Sequence, residues 1–154
     1  MDDIREQGHI LSDSSQHITP EAIKGGGLFP ACSIILSTSA TIGEHALITT
    51  DYLANQRFTV LQPKNKLKEL DIKFFYHYCF ILGEWCRKNV NVGGFNAVNI
   101  ADLRLHKVPI PSLEEQKMIG DFLSSQEQKE SETYQQIKKL TIIKQALLQK
   151  MFAA

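Results

Sequence analysis

The stretch from Pro111 to Phe152 constrains this chain more than any other. Ser112 followed three residues later by Glu115 is a capping box: the serine hydroxyl can accept from the Glu115 N–H, and the carboxylate from the Ser112 N–H. Pro111 cannot continue a helix backwards, so the start is sharp. From there to Phe152 there is no proline, and Gly120 is the one glycine. Gln, Glu, Lys, Leu and Ile, mostly good helix formers, fill the rest. At 1.5 Å per residue the predicted helix is roughly 60 Å long, about twice the width of a domain this small. A helix of that length needs something to lie against.

Its pattern says what. Ile119, Leu123, Gln126, Glu130, Thr133, Ile137, Leu140, Lys144, Leu147 and Met151 follow at alternating four- and three-residue steps, the spacing of a coiled-coil seam. Both ends of the seam are apolar and its middle is polar, so it should grip at its ends and set register at its centre. Ile119, Leu123, Ile137, Leu140, Leu147 and Met151 are the expected dimerisation residues. A lone amphipathic surface helix is the alternative.

Subtracting that helix leaves residues 1–111 for one modest core, so the predicted organisation is a domain over 1–111 and a helix over 112–154. Residues 1–112 hold 11 basic and 11 acidic side chains, and residues 113–154 hold 6 of each. Neutrality of both parts argues against a nonspecific polyanion binder and leaves room for a sequence reader with a local basic face. Cys32, Cys79 and Cys86 match no zinc or redox spacing, which predicts buried thiols in a reducing cytoplasm. The acidic opening Met1-Asp2-Asp3 predicts no secretory leader, and no run is apolar enough to predict a membrane span.

Along the domain, residues 1–17 are polar and give little signal. Thr19 as N-cap with Pro20 at the first helical position predicts one helical turn, ended by Gly25-Gly26-Gly27. The triplet lacks the Lys-Ser/Thr of a phosphate loop and is a turn. Cys32–Ser37 is an apolar, β-branched run, hence a buried strand, and Ala46–Thr49 is a second. The polar loop 38–43 between them carries hydroxyls at a hairpin tip, among them Ser39 and Thr41. A third strand is predicted over Tyr52–Leu61, with an unusually polar start. Asn55, Gln56 and Arg57 there are the side chains suited to pairing with adenine and guanine edges. Asn55 and Gln56 could equally cap strand ends.

Pro63–Lys68 reads as a basic turn. A helix follows from about Asp71 to Lys88, with Phe74, Phe75, Tyr78, Ile81, Leu82 and Trp85 as its core face. The Asn- and Gly-rich loop 88–96 has Arg87 and Lys88 at its edge, a composition that often carries function. Asn99 caps a short helix from Ile100 to Arg104, and Val108–Pro111 is an extended strand leading into the long helix. The class is α+β. The five histidines are scattered without metal-site spacing, and no catalytic constellation emerges, so neither metal nor cofactor is expected.

Three segments together resemble the specificity subunits of type I restriction–modification enzymes. The first runs from Ile18-Thr19-Pro20-Glu21-Ala22-Ile23 to Ala40-Thr41-Ile42-Gly43, and the second is Asn55-Gln56-Arg57-Phe58. The third is Asn99–Leu103 followed by Val108-Pro109-Ile110-Pro111-Ser112-Leu113-Glu114-Glu115-Gln116, similar to the family's Pro-x-Pro-x-x-Glu-Gln junction. The resemblance covers roughly residues 17–152. It implies a subunit without catalysis of its own, in which two target-recognition domains are held apart by two antiparallel long helices. It implies double-stranded DNA as ligand, and methyltransferase and motor-nuclease (restriction) subunits as partners. With one domain and one helix, this chain is expected to be a half subunit with a partial recognition domain, small and mixed α/β. It would pair with itself or another specificity half, or serve as a fragment that docks without reading DNA. The residues expected near bases are Ser39, Thr41, Asn55, Gln56 and Arg57. Lys24, Lys88 and Asn91 are expected near phosphate or groove edges.

Overall fold

The structure is a computed structural model that describes residues 2–23, 25, 27–63, 69–91 and 96–152. It divides into two compact units, Met1–Gly120 and Asp121–Ala154.

The first unit is built on a four-stranded sheet. Helix α1 (Asp2–Gln7) precedes strand β1 (Ile10–Leu11), a 3-10 turn (Pro20–Ala22), and strands β2 (Ser33–Ser37), β3 (His45–Ile48) and β4 (Phe58–Leu61). The strand order is β1-β3-β2-β4. β1 runs parallel to β3, while β2 is antiparallel to both β3 and β4. β2 is therefore central, and all five of its residues are buried. Alternation assigns its side chains to two faces. Ile34 and Leu36 lie on one, where Ile34 sits opposite Leu47 and Leu61; Ile35 lies on the other, opposite Ala46 and Val60.

Helix α2 (Ile72–Lys88) covers the first face, and its N-cap Asp71 accepts from the Phe74 N–H at 2.9 Å. Tyr76, Cys79, Leu82 and Cys86 join Ile34, Leu36 and Leu47 in the larger core. Burying Ile34 and Leu36 fully contributes about 1.5–3 kcal/mol each. The second face packs a smaller cluster, in which Ile4 of α1 and Leu11 of β1 meet Ile35, Ala46 and Ile48. A two-stranded ribbon, β5 (Val90–Asn91) with β6 (Ala97–Val98), follows α2. Then comes α3 (Ile100–Leu105), whose cap Asn99 accepts from the Ala101 N–H. Helix α4 spans Leu113–Phe152 as 40 continuous residues. None of the described helices is long and apolar enough to cross a membrane.

Several expectations need correction. Residues 1–17 are not featureless, since they supply α1 and β1. Thr19 precedes the 3-10 turn without a side-chain cap bond. The third strand begins at Phe58; before it, Tyr52 makes an isolated bridge with Phe29, and residues 56 and 57 form a turn. On α2, Ile81 is 62% exposed, and Tyr76, Cys79 and Cys86 take the buried stripe. The helix is apolar nearly all round, so periodicity could not single out one face. Residues 108–111 join no strand. Cys32 is exposed, while Cys79 and Cys86 are buried free thiols. Residues 64–68, most of the expected basic turn, lie outside the described residues, as do Gly26 of the triplet and residues 92–95 of the Asn-rich loop.

Candidate nucleic-acid interface

At one end of the sheet three polar segments meet on Thr38. β2 delivers it there, and the neighbouring strands tie it down. Its N–H donates to the Arg57 carbonyl (3.4 Å), and its carbonyl accepts from the Val98 N–H (2.9 Å). Its hydroxyl shares a 3.2 Å hydrogen bond with that of Thr59. Ser39 forms an antiparallel bridge with Ala97, which is the register partner of Asn91. Ser39, Ala97 and Asn91 thus sit side by side on three backbone segments, about 4.8 Å apart at each step.

The hairpin tip is wound tightly. The Ser37 hydroxyl donates to the Ser39 carbonyl (2.7 Å), and the Thr41 hydroxyl donates back to the Ser37 oxygen (3.4 Å). The Gly43 N–H closes the loop on the Ser37 carbonyl at 2.9 Å. Ala40 has φ of 59° and Gly43 of 85°. The left-handed alanine costs about 1 kcal/mol, which the surrounding bonds sustain. Ser39 and Thr41 are half-buried, so the tip is more framework than free hydroxyl surface.

The turn at 55–57 uses its asparagine internally. Asn55 Oδ1 accepts from the Arg57 N–H at 2.9 Å, and the Asn55 carbonyl accepts from the Phe58 N–H. That bond uses one of the two lone pairs of Oδ1 and fixes the direction of the exposed Asn55 carboxamide. Gln56 and Arg57 are also exposed on that turn.

Arg87, near the end of α2, organises the tip from behind. Its guanidinium donates to the Ile42 carbonyl (3.4 Å) and to Glu84 (2.6 Å). The hydrogen bond and charge of Arg87 hold the Glu84 carboxyl below its ordinary range. Beneath it Gly43 crosses Gly83 so closely that a Cβ on either would run into the other's carbonyl. The sequence carried a signal for this crossing: a glycine inside a helix costs about 1 kcal/mol and implies close packing. Lys88 and Asn91 are exposed. The structure therefore brings Ser39, Thr41, Asn55, Gln56, Arg57 and Asn91 to one end of the sheet; Lys88 ends α2 two residues before the ribbon, and Lys24 lies outside the described residues.

The arrangement suits hydrogen bonding to a polar surface, with exposed amide and guanidinium groups on a stiff support. Acid–base or nucleophilic chemistry has less to work with. No group of three His, Cys, Asp or Glu among the described residues could hold a metal. Burial pushes the Cys79 thiol up to about 12, which keeps it protonated at neutral pH. Buried His45, whose Nε2 has no hydrogen-bond partner among the described residues, is pushed down to about 4 by burial.

The dimerisation residues expected on α4 are all exposed. Ile119 and Leu123 are least so, whereas Ile137, Leu140, Leu147 and Met151 each exceed half exposure.

An α+β unit with loops gathered at one sheet end, followed by a single long helix, defines the class of fold. The comparisons with known proteins narrow that class. Residues 9–141 match the type I restriction modification DNA specificity domain. The specificity subunit of the Escherichia coli type I restriction enzyme EcoprrI is 54% identical over 112 residues, covering 72% of this chain and 28% of that protein. A chain solved in work on complex assembly and conformational transition of the type I R-M system superposes with a TM-score of 0.58 at 20% identity, covering 80% of this chain and 29% of that one. The chain belongs to the type I restriction–modification DNA specificity domain family. It spans less than a third of either relative.

Proposed function

We propose that this chain is a DNA sequence-recognition component of a type I restriction–modification specificity subunit. In this reading residues 1–111 are a partial target-recognition domain and residues 112–154 a helix for pairing or docking. The single observation that carries it is the meeting of the hairpin tip, the Asn55–Arg57 turn and the β5–β6 ribbon on Thr38. Arg57 and Gln56 would read base edges, while Lys88 and Asn91 hold the backbone or groove edge. Asn55 and Thr41 would shape the loops that present them. The chain would perform no catalysis itself and would act with methyltransferase and restriction subunits in a reducing cytoplasm. Free thiols at Cys32, Cys79 and Cys86 fit that compartment. The seam on α4 would pair it with a second specificity half or a second copy.

Gel-shift binding to double-stranded DNA tests this directly. Arg57→Ala should cost about 1–3 kcal/mol and relax preference at one base position. Lys88→Ala should weaken all duplexes alike and lower the salt slope by about one. No duplex binding at low salt would sink the reading.

A second reading has an observation of its own. Equal numbers of acidic and basic residues give no general attraction to DNA. In that case the chain docks on a methyltransferase or another specificity subunit without reading sequence. Methyltransferase binding that persists when Gln56, Arg57 and Lys88 are all changed to alanine, with no DNA binding by the unaltered chain, would favour it.

A further inference from the structure

Along the whole of α4 just two described residues are buried, Gln116 and Gly120, one helical turn apart. Both meet the segment that begins α2. Gln116 is fully buried, and both polar atoms of its carboxamide are bonded. Its Oε1 accepts from the Asp71 N–H (2.8 Å), and its Nε2 donates to the Glu69 carbonyl (2.7 Å) and the Pro111 carbonyl (2.9 Å). Asp71 is also the N-cap of α2. At Gly120, an added Cβ would lie 2.8 Å from the Phe74 nitrogen and 3.1 Å from Asp71 Oδ1. The Ser112–Glu115 capping box fixes the first turn just before this, with the Ser112 N–H on the Glu115 carboxylate at 3.0 Å.

This is more than a helix start requires. A cap satisfies a helix's own N–H groups. Gln116 instead reaches across to two carbonyls and an N–H outside its helix, and no other common side chain supplies two donors and an acceptor on that stem. The pattern is that of a key: one polar residue that fits one orientation, beside a glycine that admits close approach.

We propose that Gln116 is a positioning residue that locks the root of α4 to the start of α2, so that paired chains select one spacing between their two half-sites. The inference rests on the DNA-reading, helix-pairing function proposed above.

The test uses the full 154-residue chain and a randomised duplex library. The unaltered chain should select paired half-sites at one spacing, because mis-spaced pairs lose the bivalent gain, on the order of a hundredfold. Gln116→Leu keeps the bulk but strands the three backbone groups. Gln116→Glu keeps the acceptor for Asp71 but sets oxygen against the Glu69 and Pro111 carbonyls. Both variants should select the same half-site sequence while their affinities at neighbouring spacings converge to within about threefold. In Gln116→Glu the discrimination should return as pH falls, because burial beside two carbonyls raises the new carboxyl's pKa and the protonated form regains a donor.

Variants that keep the original spacing preference overturn the proposal. So do variants that lose half-site recognition in step with spacing and recover nothing at low pH, which would make Gln116 a merely structural residue. If the unaltered chain selects half-sites with no fixed spacing, the pairing function itself fails and this inference falls with it.

Discussion

The two units of the chain use apolar residues differently. Met1–Gly120 withdraws many of them into two clusters: Ile34 and Leu36 are fully buried and the sheet is covered on both faces, although others such as Ile81 and Leu105 stay exposed. In Asp121–Ala154 no described residue is buried, yet eleven large apolar or aromatic side chains, from Phe122 to Phe152, are exposed. An apolar surface of that extent fits the pairing or docking role proposed for the helix. The first unit buries two clusters of its own, and the second presents its apolar side chains outward.

The sharpest way to break this contrast is to delete buried volume. Leu36→Ala should cost the first unit about 3–5 kcal/mol, through lost transfer energy and an unfilled cavity, as measured by denaturant unfolding. Ile137→Ala should leave that transition within about 0.5 kcal/mol. An equal loss from both would mean that Ile137 is not a surface residue.

Ile137→Asp probes the other side. A charge in an apolar seam without a partner should weaken association by about 3 kcal/mol while the unfolding of the first unit stays put. Sedimentation that finds the original and the variant equally monomeric would show that this face does not pair chains.

The third comparison uses pH. His45 sits among Tyr76 and Phe80, with His9, His77 and Arg87 also acting on it, and it titrates near 4 rather than 6.5 because burial opposes its charge. The unfolded chain therefore takes up this proton first. Its contribution is complete above pH 6.5 and is lost as pH falls toward 4. At 1.36 kcal/mol per pH unit the loss approaches about 3 kcal/mol. His45→Phe should flatten unfolding free energy over that window, while association through α4 should not change with it. An unaltered slope would show that another group is responsible.

The smallest effect belongs to the joint. Ser112→Ala removes the hydroxyl that donates to Glu115 (2.7 Å) and accepts from its N–H (3.4 Å). It should cost about 1 kcal/mol, visible as faster hydrogen exchange in the first turn of α4.

What could be seen in the sequence follows the range of each signal. Asp71, Asn99 and the Ser112–Glu115 pair act within three residues, and each caps where its chemistry says it should. The β2–β3 hairpin was legible because its strands are apolar and its connection is short. β1 was not: two residues pair with Leu47 and Ile48, far along the chain, and a two-residue strand leaves no alternation to detect. The start of β4 misled because Asn55 turns the backbone with its own side chain, an interaction that competes with strand pairing. The candidate site can be proposed from residue types but not as a place. Ser39, Arg57 and Asn91 become neighbours through Thr38 and Ala97, which carry no chemical signal of their own. Gln116 stood inside a recognised motif, yet its partners Glu69 and Asp71 come from a distant segment.

The crossing of Gly43 over Gly83 has one more consequence. The joint ties positions 43 and 83 together, because a Cβ on either would run into the other's carbonyl. Neither glycine can be exchanged without parting the hairpin from the helix, so the anchorage rests on two residues far apart in the chain that must stay bare together.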